Sequence, residues 1–426
     1  MRRTTKAAAG AGVSLRRARI AATVAFATNG ALPAALLARW AQVKGDLDLT
    51  DALFGLLVVA TGIGGAIALN APAVVVRRLG TRRTTAFGTL TIALALVLGG
   101  LGVAVGQTWV LFVALAVVGA CDATVDVAQN AQGLKVQAAY GRSVLTAMHA
   151  GWSVGMAVGA LGGVAMAQVP LVVHLLVWGA ICSTAMVVAG RWFLPDTIEQ
   201  IPVEQVPVEQ VPADQAAAPD AGATSPAPQP GPVRAPGAEP RDAVRPPRPW
   251  RLLLPLAFVA VAGFAVEDLG MNWSAVLLAS EHGVLAAHAG TGLAVLLGSQ
   301  FAGRLLGDRF TEALGRDRAL RISLVAMSVG VLGAVWAPTA PLTLAGFVVA
   351  GLGCAVVVPL AYARADEVPG VAAHSGLTWV NAGMRGAAIG LGPLVGAISE
   401  ASSLRIALSL APLLAVAALV LQRSRR

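Results

Sequence analysis

Charge is scarce in this chain. Only 12% of its 426 residues are Asp, Glu, Lys or Arg, against 56% hydrophobic, and the mean hydropathy is +0.72. Soluble domains carry about twice that share of charge, so the composition excludes one. Cysteine is scarcer still. Cys121, Cys182 and Cys354 fall in apolar stretches without metal-ligand spacing, which leaves them as packing residues. Aromatics make up 5%, so a cavity built from this chain offers little stacking surface. No G-x-x-x-x-G-K-[ST] string occurs to cradle a nucleotide phosphate, and no H-E-x-x-H to hold zinc. No cofactor or metal is expected.

What the chain has in plenty is apolar sequence of spanning length. About twelve helices are expected near 20–39, 52–75, 84–105, 108–131, 143–167, 170–191, 252–279, 284–306, 319–337, 341–363, 375–398 and 404–422. About 20 residues of helix cross a hydrocarbon layer of about 30 Å, whereas barrel strands would be about 10 residues of alternating polarity. The chain is read as an all-α membrane protein of two six-helix halves. The basic, apolar N-terminus is read as a retained span, because another span follows it.

The net charge of +9 and a pI near 10.6 do not require a nucleic-acid partner. Arg16, Arg17 and Arg19 precede the first helix, Arg77, Arg78, Arg82 and Arg83 follow the second, and Lys135 and Arg142 follow the fourth. Arg191, Arg304, Arg309, Arg316, Arg318, Arg321 and Arg364 fall on the same side, opposite only Arg39, Lys44 and Arg405. The positive-inside rule then puts both termini in the cytoplasm, and the expected location is the plasma (inner) membrane of a prokaryote. Arg39 with Trp40 reads as an interfacial anchor pair.

Internal repeats support a duplication. RRLGTRR from Arg77, with Arg78, Gly80 and Arg82, matches GRLLGDRFTEALGRDR from Gly303, with Asp308 and Arg309, and both read as conformational turns. VVGACDATVDVAQNA lines up with VAGLGCAVVVPLAYA, and GWSVGMAVGALGG with GMRGAAIGLGPLVG. Residues 1–194 and 251–426 are the expected bundles. Between them, 195–250 carries IPVEQ, VPVEQ and VPADQ and then a Pro-rich run, read as a disordered cytoplasmic linker.

Polar groups inside the spans are the candidate chemistry, because a centrally placed Asp costs about 2.5–3.5 kcal/mol in the bilayer. Asp122, Asp126 and Asn130 are four apart and share one face of their helix. Asp126 and His149 form either a proton relay or a static interhelical bond. Asp122 and Glu267 are further proton-coupling candidates; Glu267 and Asp268 are adjacent, so at most one faces a cavity. Asn29, Asn130, Trp152, Trp273 and Arg385 are substrate-cavity candidates. Arg385 either pairs with a carboxylate such as Glu267 or Asp122 or binds an anionic or hydroxylated substrate. Gly151, Gly155, Gly159 and Gly163, also four apart, allow close helix packing. They enclose Ser153 in a G-x-S-x-G string, but a nucleophile elbow needs a strand-to-helix turn. An intramembrane serine protease is a remote alternative.

The chain resembles the major facilitator superfamily, and more narrowly its fucose-permease-like branch with the YbjJ-type inner-membrane proteins. The resemblance rests on Asn29-Gly30 with Arg39, DVAQNAQG from Asp126, HAGWS from His149, NWSAVLL from Asn272 and GRLLGDR from Gly303. It implies alternating access by rocking of two halves, coupled to protons. Arg77 stands where the superfamily has an acid after helix two, and Asn272 where the branch has Asp before Trp. Helix four has no arginine and the region of Gly159 no proline, unlike drug/proton antiporters. The expectation is a monomeric, proton-coupled symporter of a small polar, sugar-like solute. A proton-driven efflux pump for drug-like metabolites is the alternative, and a non-transporting membrane receptor a remote one.

Overall fold

The structure is a computed structural model that describes residues 14–69, 71–141, 144–196, 249–368 and 375–423. The expected linker, apart from its ends, and Arg142 lie outside the described residues.

The long apolar stretches of the described residues are helical, because a span in hydrocarbon must satisfy every backbone N–H and C=O within itself. In the first half run α1 (Leu15–Leu37), α2 (Trp40–Asp46), α3 (Asp51–Ile67), α4 (Ala71–Ala104), α5 (Thr108–Tyr140), α6 (Leu145–Ala165) and α7 (Leu171–Gly190). The second half has α8 (Pro249–His282), α9 (Ala286–Ala289), α10 (Thr291–Leu314), α11 (Arg316–Val335), α12 (Ala340–Cys354), α13 (Val357–Asp366), α14 (Ser375–Ala401), α15 (Leu404–Leu408) and α16 (Leu410–Arg423). The short helices α2 and α9 lie between spans. Pairs α12–α13 and α15–α16 each make one interrupted span, so the described residues hold twelve such segments in two sets of six, eight of them long and apolar enough to cross a membrane by themselves. Leu94, Leu98, Leu176, Ile181 and Val329 stay exposed on the outside, as a lipid-facing surface requires.

Small residues set the interior spacing. A Cβ on Gly155 would lie 2.0 Å from the Ala27 carbonyl oxygen, and one on Gly159 would lie 2.3 Å from that of Ala31. The glycine ladder of α6 thus lets α1 approach to backbone contact, as its spacing predicts. The same device joins the two halves: a Cβ on Gly55 would meet Gly392 O at 2.2 Å, and one on Gly396 would meet Asp51 O at 2.4 Å. This α3–α14 seam lies toward the end opposite the arginine-rich turns. There Trp40, Phe54 and Trp273 stack edge-on, with centroids 5.4 and 5.0 Å apart.

Two glycines place the turns. Gly80 breaks α4 with φ 76° and ψ 163°, and Gly315 precedes α11 with φ 75° and ψ 149°. These two are the equivalent turn glycines. Gly303, Asp308 and Arg309 instead lie within α10, whose polar end continues the helix beyond the stretch that hydropathy delimits. Arg78, Arg82, Asp308 and Arg309 are exposed, whereas Gly303 packs against α12, where a Cβ would meet Ala355 Cβ at 2.7 Å.

Candidate functional site

The site grows from one stripe of α5. Asp122, Asp126 and Gln129 recur at i, i+4 and i+7, so all three face one way. Gly141, at φ 65°, ends α5 in the left-handed conformation. Gln137 Oε1 then accepts from Val144 N–H at 3.0 Å and Leu145 N–H at 3.1 Å. That side chain satisfies donors at the start of α6, which leave no intrahelical partner. It also sets α6 against α5, bringing His149 into electrostatic reach of Asp126.

Asp126 Oδ1 accepts from Gln129 Nε2 at 3.2 Å and from Asn130 Nδ2 at 2.9 Å. Asn130 also bonds the Asp126 carbonyl, 2.9 Å away. The charge of Arg385 on α14 acts on the same carboxylate, so the centre draws on both halves. Asp126, His149 and Arg385 all keep solvent-accessible surface although each sits within a span. His149 packs on Phe26 with centroids 4.6 Å apart. One turn before Asp126 on α5, Asp122 lies near Asn29 of α1, which is itself 4% exposed. Asn29 therefore sits beside Asp122 and does not itself open to solvent.

Glu267 belongs to a second cluster, with a partner the sequence did not suggest. Its Oε2 accepts from Gln300 Nε2 at 2.8 Å and pairs with Arg304 Nη2 at 3.4 Å. Arg304 Nη1 donates to Ser153 Oγ, 2.9 Å away on α6. The sequence reading counted Arg304 among the cations at the end of the bundle. Because α10 runs to Leu314, Arg304 lies inside the bundle. Arg304 therefore takes the Glu267 partnership considered for Arg385. Asp268 turns the other way and accepts from Asn272 Nδ2 at 3.2 Å, so the adjacent carboxylates face different neighbours, as helical geometry demands.

Trp273 is fully buried against Phe54, so its ring is closed to any solute; this corrects its assignment to the cavity. Trp152 is half-buried and packs with Met156 and Leu293, bridging the halves. Arg39 is also corrected. It is 1% exposed, and it donates to the carbonyls of Ala167 at 3.1 Å and Val169 at 3.0 Å. It closes the turn after α6 and is no surface anchor. Among the described residues no group of three or more His, Cys, Asp or Glu is arranged to hold a metal ion.

At the Gly80 turn a residue missed in the sequence completes the structure. Asp196 Oδ2 accepts from Thr81 N–H at 2.8 Å, its Oδ1 from Thr81 Oγ1 at 2.8 Å, and Lys135 pairs with it. Burial alone would raise the Asp196 carboxyl. The bonds from Lys135 and Thr81 outweigh that and hold it below its ordinary value.

The family model of the Major Facilitator Superfamily matches residues 20–393. The chain belongs to that superfamily. An uncharacterized transporter, y4wD, of Sinorhizobium fredii is 27% identical over 399 residues, covering 93% of this chain and 95% of the relative. An uncharacterized MFS-type transporter of Yersinia pestis is 27% identical, covering 89% of each. Membrane protein MosC of Rhizobium meliloti is 23% identical, covering 90% of this chain and 84% of MosC. Among solved structures, a mutant of the nucleoside transporter NupG superposes with a TM-score of 0.69 at 14% identity. It covers 97% of this chain and all of its own. A bacterial homolog of the human lysosomal transporter Spinster gives 0.61 at 16%, covering 96% of each. The matches support the major facilitator fold and a transporter in a membrane, with a small-molecule substrate.

Proposed function

We propose that this chain is a proton-coupled symporter of a small polar, sugar-like solute in the fucose-permease-like branch. It works as a monomer in a prokaryotic inner membrane, with both termini cytoplasmic. One observation carries the reading: Asp126 is within electrostatic reach of His149 of its own half and Arg385 of the other, and all three are accessible. The glycine seam and the stacked Trp40, Phe54 and Trp273 hold the halves together toward the opposite end. A solute and a proton thus reach Asp126 from the arginine-rich, cytoplasmic side, and rocking the halves would exchange that access. Asp126 and His149 handle the proton, Glu267 and Arg304 stand beside them at the interface between halves, and Arg385 and Asn130 meet the solute.

The decisive experiment uses proteoliposomes with an imposed pH gradient. Wild type should accumulate solute, and Asp126→Asn should lose accumulation while retaining exchange of labelled for unlabelled solute. Unchanged accumulation in the variant would sink the coupling assignment, and ligand binding without flux would indicate a receptor. Solutes are chosen by melting-point shift, because a ligand of the folded state raises it; sugars, nucleosides and lipophilic cations form the panel. The enclosure of Trp273 removes one stacking surface for a sugar and favours the second reading, efflux of drug-like metabolites. Stabilisation by lipophilic compounds alone would select it.

A further inference from the structure

Three arginines from three segments meet at the end of α7. The Arg17 guanidinium of α1 lies 6.0 Å from the centre of the Trp192 ring. A Cβ on Gly190 would lie 3.6 Å from Arg82 Cγ and 4.0 Å from its Nε, so the Arg82 side chain of α4 runs along the last turn of α7. Arg191 follows directly, its backbone still helical at φ −66° and ψ −20°. All three are exposed, and among the described residues none of them pairs with an acid. The neighbouring Asp196 is already taken by Lys135 and Thr81. Like charges this close repel, and Arg17 adds its own to the positive end of α1, whose first turn holds no acid. An anion would relieve that repulsion. A second feature gives the anion's chemistry. Val173, Leu176, Val177, Ile181, Val187 and Val188 are exposed and recur at the spacing of one helix face, which in a bilayer meets acyl chains. Arg191 continues that face, four residues after Val187 and three after Val188. Half-buried Trp192 beside it is a residue type that favours the headgroup level.

We infer that Arg17, Arg82 and Arg191 bind the headgroup of an anionic phospholipid whose acyl chains lie along the exposed face of α7. Guanidinium matches phosphate in charge and in the geometry of its donors, and basic pockets between spans are where such headgroups bind. A zwitterionic lipid would bring its own cation into the cluster and leave the arginines uncompensated. The lipid is therefore one of net negative charge, with phosphatidylglycerol as its probe. A soluble phosphate would answer the charge but leave the apolar face below Arg191 without a role. Bound lipid ties the arginine-rich ends of α1, α4 and α7 together, since α7 already packs on α1 through Ala21, Ala25, Met186 and Ala189 and on α4 where a Cβ at Gly179 would meet Ala93 Cβ at 2.9 Å. The site depends on neither the solute nor the coupling ion.

The test uses the full chain in phosphatidylcholine nanodiscs with a rising share of phosphatidylglycerol at constant ionic strength, and native mass spectrometry identifies the lipid that stays bound on release. Saturable retention of phosphatidylglycerol over phosphatidylcholine is expected. Arg17→Gln, Arg82→Gln and Arg191→Gln should each weaken it by about fivefold, and Arg82→Lys, which keeps the charge, should retain most of it. Arg318→Gln, at an exposed arginine of the second half, should leave it unchanged. Equal retention of the two lipids, or an equal loss in Arg318→Gln, overturns the site, the second by making the attraction one of net charge. Binding of isotopic inorganic phosphate in lipid-free detergent with the same dependence on the three arginines would overturn the lipid in favour of a soluble anion. Retention that appears only when Glu199, Glu204, Glu209 and Asp214 are replaced by their amides would give the arginines to the chain's own linker instead.

Discussion

Arg304 Nη1 donates to Ser153 Oγ at 2.9 Å, joining a helix of the second half to one of the first inside the bundle. The same guanidinium pairs with Glu267. Replacing it by alanine leaves that carboxylate with only Gln300 and should destabilise the protein by about 1–3 kcal/mol. Ser153→Ala removes one neutral acceptor and should cost less. Unfolding in detergent reads both, and the double variant Arg304→Ala with Glu267→Gln should recover part of the loss. Equal stability of Arg304→Ala and wild type would show that the pair holds nothing.

His149→Gln separates the relay from a static bond. Glutamine hydrogen-bonds but does not titrate at physiological pH, unlike histidine. A relay predicts loss of accumulation down an imposed pH gradient with counterflow exchange retained. If accumulation survives, His149 only packs on Phe26 and positions Asp126.

The fold was legible because hydropathy acts over whole spans: the twelve apolar stretches recur as helices among the described residues, and the α6 glycine ladder packs as its spacing implies. Element ends were less legible. The end of α10 reads as a turn because Arg304, Asp308, Arg309 and Glu312 interrupt its apolar run, yet a helix projecting from the bilayer tolerates such residues. Asp126, His149 and Arg385 stood out as polar groups inside apolar spans. Arg304 and Asp196 did not, since their partners Glu267 and Thr81 lie 37 and 115 residues away in sequence. Trp273 misled because a half-polar segment says nothing of which side a neighbouring helix covers.

Gly55→Ala should open the seam between halves. The added Cβ would lie 2.2 Å from Gly392 O, and overpacking of this kind costs about 1–3 kcal/mol. That penalty falls only on the state in which α3 and α14 touch, so it shifts the balance toward the alternative state by roughly 5- to 150-fold. A cysteine placed at Gly396 should then react faster with a membrane-impermeant thiol reagent applied from the seam side. Unchanged labelling would mean that the seam does not separate the two states.

Asp196 gives a pH test at the other end of the bundle. Its folded carboxyl titrates below the ordinary value of about 3.9, so ionisation stabilises the fold. The contribution is complete above the unfolded pKa and is lost as pH falls through the folded one. Asp196→Asn should therefore melt below wild type at pH 7, and the gap should narrow as the pH drops under about 4. The carboxylate is 38% exposed, so salt should shrink the difference as well. Gly80→Ala is the companion variant: its Cβ would fall 2.3 Å from Asp196 Oδ2 at a positive φ, which strains the turn at every pH. A melting gap for Asp196→Asn that stays constant from pH 7 to 4 would mean that its charge contributes nothing, leaving the hydrogen bonds to Thr81 as the whole of its role.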